Sequence, residues 1–134
     1  MAKTTTITVR VKCKPNGGFS VSVDDWQHKV KKADDPRIEW DLQAQVENGQ
    51  PTAVVKWMRI ENPFSSSDWP FTATPPDATY IAKPGANAKS GSLKAGWVPD
   101  PNKAIRYTIT ICFSDAANSP ERYAYIDPDM VIDI

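Results

Sequence analysis

Hydrophobic and polar positions alternate most regularly near the carboxyl terminus, in residues 104–134. Apolar residues occupy every second position of one run there, at Ile105, Tyr107, Ile109, Ile111 and Phe113. A side-chain period of two predicts a strand with one buried face. The alternation resumes over residues 122–126, after a polar turn, and a last apolar run covers residues 130–134. Between these two runs, Asp127, Pro128 and Asp129 predict a bend or a change of sheet, because proline removes a ladder donor.

The same pattern predicts further strands over residues 4–14, 19–23, 37–46 and 53–61. The last of these has apolar residues on both faces, which indicates a central strand or one that bears a contact surface. Residues 24–36 are highly charged, and we expect a loop there with at most one helical turn. Residues 62–101 are rich in proline, and we expect only short edge strands near residues 71–74, 79–81 and 91–97.

Short strands separated by glycine and proline, without a convincing long helix, are typical of an all-β fold. We predict a single domain over residues 1–134, folded as an antiparallel Greek-key β-sandwich of about seven to nine strands, immunoglobulin-like or cupredoxin-like. The 40% hydrophobic content, which includes five tryptophans, is enough for a real core. In this arrangement the 105–113 strand forms one wall of the core, opposite the strand that contains Trp40.

Charge and hydropathy argue against several partners. The sixteen basic and sixteen acidic residues give no net charge, whereas nucleic-acid binders usually have a basic excess. No apolar run is long enough to span a bilayer, and no basic amphipathic segment suits a membrane surface. We therefore expect no nucleic-acid partner, no membrane partner and a cytoplasmic location, since no apolar signal core follows Lys3.

The two cysteines have opposite predicted orientations. Cys13 shares a strand face with Ile7 and Val9, whereas Cys112 shares one with Thr108 and Thr110. A disulfide needs close β-carbons with suitable vectors. We therefore predict two free thiols.

Metal and cofactor chemistry finds little support in the sequence. A blue-copper site needs a pair of histidines with a cysteine, and the chain has one histidine, His28, which we expect to be a solvated loop residue. A structural zinc site needs four nitrogen or sulfur ligands, and one histidine with two cysteines is too few. Asp127 and Asp129 provide too few oxygens for calcium unless other acids join them. We expect no cofactor.

Catalytic motifs are also missing from the sequence. It has no nucleophile elbow, no zinc-protease helix motif and no glycine-rich phosphate loop. Aromatic residues in or beside loops are the remaining candidates for a ligand or partner surface: Trp26, Trp69, Phe71 and Trp97. Such rings can stack on sugars or anchor a protein partner, although they could instead close the open ends of the core.

The tail that contains Tyr125, Asp127, Pro128, Asp129 and Asp133 resembles the ending of the DP-EP family of small bacterial proteins. The resemblance covers about the last thirty residues, and the chain departs from the pattern where Ile134 replaces a second proline. The resemblance implies a β-sandwich and no catalytic residues.

Three functional hypotheses remain open. The first is a non-catalytic binding or protein-interaction module, with a protein partner or a homo-oligomer. The second is a carbohydrate-binding module that uses the loop tryptophans. The third is an enzyme with a site of loop acids and aromatics. An exposed aromatic row would favour sugar, a large apolar patch would favour a protein partner, and a pocket with converging acids would favour the enzyme.

Overall fold

The amino-terminal strand illustrates how the sequence forms this fold. It is rich in β-branched residues, which favour the extended conformation. Its Ile7, Val9 and Val11 are buried, whereas the intervening Thr8 and Arg10 are partly exposed. One face of the strand therefore contributes to the core, as the alternation predicts.

The structure, a computed structural model, describes residues 2–13, 19–46, 54–62, 69–75, 77–100, 102–114 and 120–133. Eleven strands occur among them: β1 Lys3–Cys13, β2 Phe19–Val23, β3 Gln27–Lys31, β4 Pro36–Val46, β5 Val54–Glu61, β6 Ile81–Ala82, β7 Asn87–Lys89, β8 Ile105–Arg106, β9 Thr108–Ser114, β10 Glu121–Ile126 and β11 Asp129–Asp133. Two short 3-10 helical turns, Lys32–Asp34 and Ala78–Tyr80, complete the regular structure of these residues.

The strands form three sheets with the orders β2-β1-β4-β7, β10-β9-β5-β6 and β3-β11-β8. Inward side chains from the first two sheets meet in one hydrophobic cluster, which includes Val9, Leu42, Met58 and Ile111. Met130 of β11 joins the same cluster. The predicted all-β class is therefore confirmed, with two sheets facing each other across a shared core.

Two strand pairs are parallel, so two of the three sheets are mixed and the fold is not wholly antiparallel as predicted. β1 pairs with β4, and β11 pairs with β3. Parallel neighbours need a crossover connection. The segment between β1 and β4 provides one, because the chain leaves the first sheet after β2 and forms β3 beside β11 in the third sheet.

The expectation of a loop over residues 24–36 is wrong. Residues Gln27–Lys31 form β3, where His28 and Val30 are buried and the intervening residues are exposed. The 3-10 turn Lys32–Asp34 is followed by Asp35, whose φ of 48° lies in the left-handed region that aspartate tolerates better than most residues. β4 then begins at once, so little of this segment is irregular.

The carboxyl-terminal stretch is divided between two sheets. Ile105 and Arg106 form β8 beside β11, whereas β9 pairs with β5 and β10. The backbone N–H of Tyr107 donates to the Pro128 carbonyl at 3.1 Å, which ties the two division points together. Pro128 lies between β10 of one sheet and β11 of another, so the predicted change of sheet is confirmed.

A bulge explains the mixed polarity of β5. The register shifts between Val55 and Trp57, which leaves Lys56 as the extra residue. Val55, Met58 and Ile60 all belong to the core cluster, whereas Trp57 does not. The shift turns Trp57 outward, which strict alternation from Val55 would have directed into the core.

The described residues of the proline-rich segment are largely irregular, as expected, and their strands are the short β6 and β7. The predicted edge strands near residues 71–74 and 91–97 are reduced to one bridge between Phe71 and Leu93, and a 3-10 turn occupies most of residues 79–81. Of the two cysteines, Cys112 is a free, buried thiol, and the side chain of Cys13 lies outside the described part of the chain. No helix in the described ranges is long and apolar enough to cross a membrane.

Candidate functional site

Two of the four predicted surface aromatics belong to the core. Trp69 and Phe71 are fully buried, so they cannot be part of an exposed ligand surface. The indole N–H of Trp69 donates to the Tyr80 hydroxyl at 2.9 Å, and that hydroxyl donates to the Ala73 carbonyl at 2.6 Å. Phe71 packs on Trp69 with 6.1 Å between ring centroids. Satisfied polar groups and ring packing hold both residues inside the protein.

The other two predicted aromatics lie at opposite ends of β3. Trp26 is 50% exposed and precedes the strand, where its carbonyl accepts a hydrogen bond from the Asp129 N–H at 2.8 Å. Trp97 is half-buried, and its carbonyl accepts one at 2.7 Å from Nζ of Lys32, which follows the strand. Five residues of strand span about 17 Å. Trp26 and Trp97 therefore do not form one surface.

Trp97 lines a cavity of about 780 Å³ beside β8 and β11. Its apolar walls include Trp97, Ile105 and Ile132, and Val98 stands at 80% exposure. The full lining is Asn62, Trp97, Val98, Pro99, Asp100, Lys103, Ala104, Ile105, Arg106, Asp129 and Ile132. A concave, mostly apolar lining with a few polar groups is the usual form of a small-molecule site.

The charged side chains that line this cavity differ in their hydrogen bonds and ion pairs. Nε of Arg106 donates to Oδ1 of Asp129 at 3.1 Å. Asp100 holds the turn that follows it, because its Oδ1 accepts from the Asn102 N–H and its carbonyl accepts from the Lys103 N–H. The Lys103 ammonium forms no ion pair with any described acid. The two acids thus serve the protein's own geometry, while Lys103 remains available to a ligand.

His28 occupies the interior and not a solvated loop, which corrects the expectation from sequence. Its side chain is almost completely buried, and its ring meets Tyr107 edge-on at 5.7 Å between centroids. Nε2 lies 3.4 Å from the Tyr107 hydroxyl. The same hydroxyl accepts from Nε1 of Trp40 at 2.9 Å. The alternation of β3 places His28 inward, next to Val30 on the same face.

Burial lowers the pKa of His28 below its ordinary value, because a buried cation loses its hydration. The carboxylates of Asp25, Asp24 and Asp129 oppose this effect without overcoming it. Nδ1 has no hydrogen-bond partner among the described residues. The lowered pKa keeps the ring neutral near pH 7, where it packs against Tyr107 in the interior.

No group of three or more histidine, cysteine or acidic side chains among the described residues is arranged to hold a metal ion. Asp127 accepts from Oγ1 of Thr108 at 2.7 Å, and Asp129 is engaged by Arg106. Both acids of the Asp-Pro-Asp sequence thus hold the ends of neighbouring strands. The predicted change of sheet at Pro128 therefore accounts for Asp127 and Asp129 without a bound ion.

Sequence reasoning missed a second group of exposed aromatics. Tyr123 and Tyr125 are 47% and 63% exposed, and Trp57 is half-buried beside them. Together with Arg59, these residues form the outer surface of the β10-β9-β5-β6 sheet, which we call the aromatic face, and Thr110 and Cys112 of β9 are buried between them. The parity of β10 could have revealed both tyrosines, since Ala124 and Ile126 pack against the core. The outward position of Trp57 could not be predicted, because the bulge in β5 shifts the alternation there.

Comparison with known proteins adds no family. No protein-family model matches this sequence, and none of the curated proteins compared with it is significantly similar.

Proposed function

We propose that the protein is a non-catalytic binding module whose ligand site is the cavity beside Trp97. The observation that carries this proposal is the cavity itself, with its volume of about 780 Å³. Ligand pockets typically enclose roughly 300–1,000 Å³. A space of this size suits a molecule with one or two rings and not a macromolecule.

The lining supports an amphipathic ligand with an acidic head group. Trp97, Ile105 and Ile132 offer apolar and aromatic surface to the body of such a molecule. Lys103 and Arg106 lie at the same cavity and provide cationic donors. The Asp129 contact uses Nε of Arg106, and a guanidinium has further N–H groups that can reach a carboxylate.

Both acids of the cavity already accept hydrogen bonds from the protein itself, which favours binding over catalysis. A general acid or base must be free to exchange a proton with the substrate. Asp129 is instead paired with Arg106, and Asp100 is used by its own turn. An enzyme built from these two acids would have to break both arrangements.

A carbohydrate ligand is the second candidate, because Trp97 could stack on a sugar ring. It has less support, since Trp69 and Phe71 are buried and Trp26 lies at the far end of β3. A neutral sugar would also make no use of the Lys103 charge.

Titration with anilinonaphthalene sulfonate, an aromatic anion whose fluorescence rises in apolar sites, tests the proposal. We expect saturable binding to the native protein. Replacement of Trp97 by Ala should weaken it about tenfold or more, because loss of an aromatic contact of roughly 1.5–3 kcal/mol exceeds the 1.4 kcal/mol of a tenfold change. Lys103→Gln should weaken it in a salt-dependent manner.

Trp26→Ala is the matched control, since it removes an exposed tryptophan outside the cavity lining. Equal loss of probe binding in Trp26→Ala and Trp97→Ala would contradict the assignment of the site. Unchanged binding in Trp97→Ala would do so as well.

Two further expectations belong to this proposal. We also propose that the chain is a member of the DP-EP family, on the resemblance of its carboxyl-terminal tail alone. A cytoplasmic location is supported by the free thiol of Cys112, because unpaired cysteines are usual in a reducing compartment.

A further inference from the structure

The aromatic face is the feature of the surface that most needs explanation. Tyr123 and Tyr125 lie two residues apart on β10 and are both exposed, and a contiguous exposed patch of large rings is more informative than a single exposed one. Trp57 and Tyr123 pack with 6.1 Å between ring centroids, and Arg59 lies 4.8 Å from the Trp57 centroid. Tryptophan, tyrosine and arginine are the residues most enriched where protein interfaces have their binding energy.

Strand register aligns the residues of this face in levels, which are rows that run across β5, β9 and β10. Trp57 and Tyr123 both pair with Cys112, one from each side of β9. Arg59 and Tyr125 likewise flank Thr110. At the end of the face, Nζ of Lys56 lies 3.6 Å from Oε1 of Glu121. Each level therefore places a β5 residue opposite a β10 residue, with a small side chain of β9 between them.

We propose that the aromatic face binds a second copy of this chain, around a two-fold axis parallel to β9. Such an axis places β5 of each copy over β10 of the other at the same level. Trp57 then packs on Tyr123 of the other copy, and Arg59 stacks on Tyr125 of the other copy. This isologous contact is closed, because each copy contributes the same residues.

Charge on the face favours a copy of itself over a charged partner. Two basic groups, Lys56 and Arg59, are paired with two acidic groups, Glu121 and Glu61. The outward-facing charges of the aromatic face thus cancel, and the whole chain has no net charge. Around the proposed axis, the Lys56–Glu121 pairs of the two copies meet, with Lys56 of each beside Glu121 of the other.

The size of the face sets the expected strength of association. Four strands about 4.8 Å apart and about six residues long, at about 3.4 Å per residue, cover roughly 400 Å². Two copies would bury about 800 Å², below the roughly 1,200–2,000 Å² of stable complexes. The dimer is therefore weak and forms in a concentration-dependent manner.

Sedimentation velocity over micromolar to millimolar concentrations tests the dimer, with two charge reversals as the central variants. Lys56→Glu alone places acids against acids, and Glu121→Lys alone places bases against bases, so each variant should remain monomeric. An equimolar mixture of the two should form heterodimers, since each acidic face then meets a basic one. Far-UV circular dichroism confirms that both variants are folded.

Tyr125→Ala should also weaken the dimer, whereas Trp26→Ala should leave it unchanged, because Trp26 lies outside the face. The proposal is overturned if the native chain stays monomeric over the whole range, or if the mixture sediments as the sum of two monomers. Binding of a neutral polysaccharide to this face by a strictly monomeric chain would assign it to another occupant.

Discussion

The indole N–H of Trp40 donates to the hydroxyl of Tyr107 at 2.9 Å, across the interior from β4 to the beginning of β9. Both side chains are fully buried, and their rings meet edge-on at 5.7 Å between centroids. Burial also raises the pKa of Tyr107, so its hydroxyl keeps its proton. One oxygen therefore links the first sheet, the carboxyl-terminal segment and His28 of β3.

Replacement of Tyr107 by Phe should destabilise the protein by about 1–3 kcal/mol, because it leaves the buried N–H of Trp40 without its acceptor. Urea unfolding measures this change. Tyr125→Phe is the matched control at a side chain that is 63% exposed, and it should shift stability by less than about 0.5 kcal/mol. Equal midpoints for Tyr107→Phe and the native protein would show that the hydrogen bond is not significant.

The stability of the protein should fall as the pH decreases below about 6.5, the ordinary pKa of histidine. Burial lowers the pKa of His28 in the folded state. The unfolded chain therefore takes up a proton at a higher pH than the folded one, and stability rises with pH in this interval. The contribution is complete above about pH 6.5 and is lost as the pH falls towards the folded pKa, with a slope of up to about 1.4 kcal/mol per pH unit.

His28 is the only histidine in the chain, which makes this prediction sharp. His28→Gln keeps a polar side chain that does not titrate, so its unfolding free energy should be flatter between pH 7.5 and 5.5. Chemical denaturation at closely spaced pH values provides the comparison. A native slope that survives unchanged in His28→Gln would assign the effect to other groups.

Cys112 should resist alkylation in the folded protein. Its side chain is fully buried on the outer side of β9, level with Trp57 and Tyr123. Burial raises the pKa of its thiol, and the nearby Glu121 adds to this, so little thiolate is present. Peptide mapping after iodoacetamide treatment should find Cys112 modified only in urea.

The same experiment distinguishes the two tyrosines of the aromatic face. Tyr123→Ala should speed modification of Cys112, because Tyr123 pairs with it across the strands. Tyr125→Ala should have little effect, since Tyr125 pairs with Thr110. Rapid modification in the native protein would contradict the burial of Cys112.

Tryptophan quenching should separate the aromatics that sequence alone grouped together. Trp40 and Trp69 are fully buried and should be shielded from acrylamide, whereas Trp26 is 50% exposed. Trp26→Phe should therefore remove the most quenchable part of the emission. Trp69→Phe should leave that part in place, and the reverse outcome would contradict the assignment of Trp69 to the core.

Periodicity was sufficient for the long strands, because each has several apolar residues on one face. The strand containing Trp40 lies where the alternation predicted, although Ala44 is exposed. The 105–113 run has the predicted inward residues, but it is divided at Tyr107 between β8 and β9 of two different sheets. β3 was not predicted, because only His28 and Val30 face inward. The three exposed positions between and beside them gave the segment the composition of a solvated loop. The parallel pairing of strands was not predicted, because it depends on which sheet each strand joins. A local pattern of apolar residues does not contain that information.

The candidate site was only partly predictable for a related reason. Trp97 was identified as an aromatic beside a loop, but Ile105 and Ile132 come from strands far apart in sequence, and only the β8–β11 pairing brings them together. Trp69 and Phe71 looked like surface residues because prolines surround them. The ring partners of Trp69, Tyr80 and Tyr107, could not be identified without the tertiary structure.

The central claim is that the cavity beside Trp97 binds a small amphipathic acid. Amide correlation NMR spectra of nitrogen-labelled protein, recorded during titration with indole acetate, test it most directly. We predict saturable shifts of the Trp97 indole N–H and of the Ile105 and Ile132 amides, with the Trp26 indole N–H unaffected. Spectra in which these cavity signals do not move at saturating ligand, or in which the shifts are confined to Tyr123 and Tyr125, would contradict it.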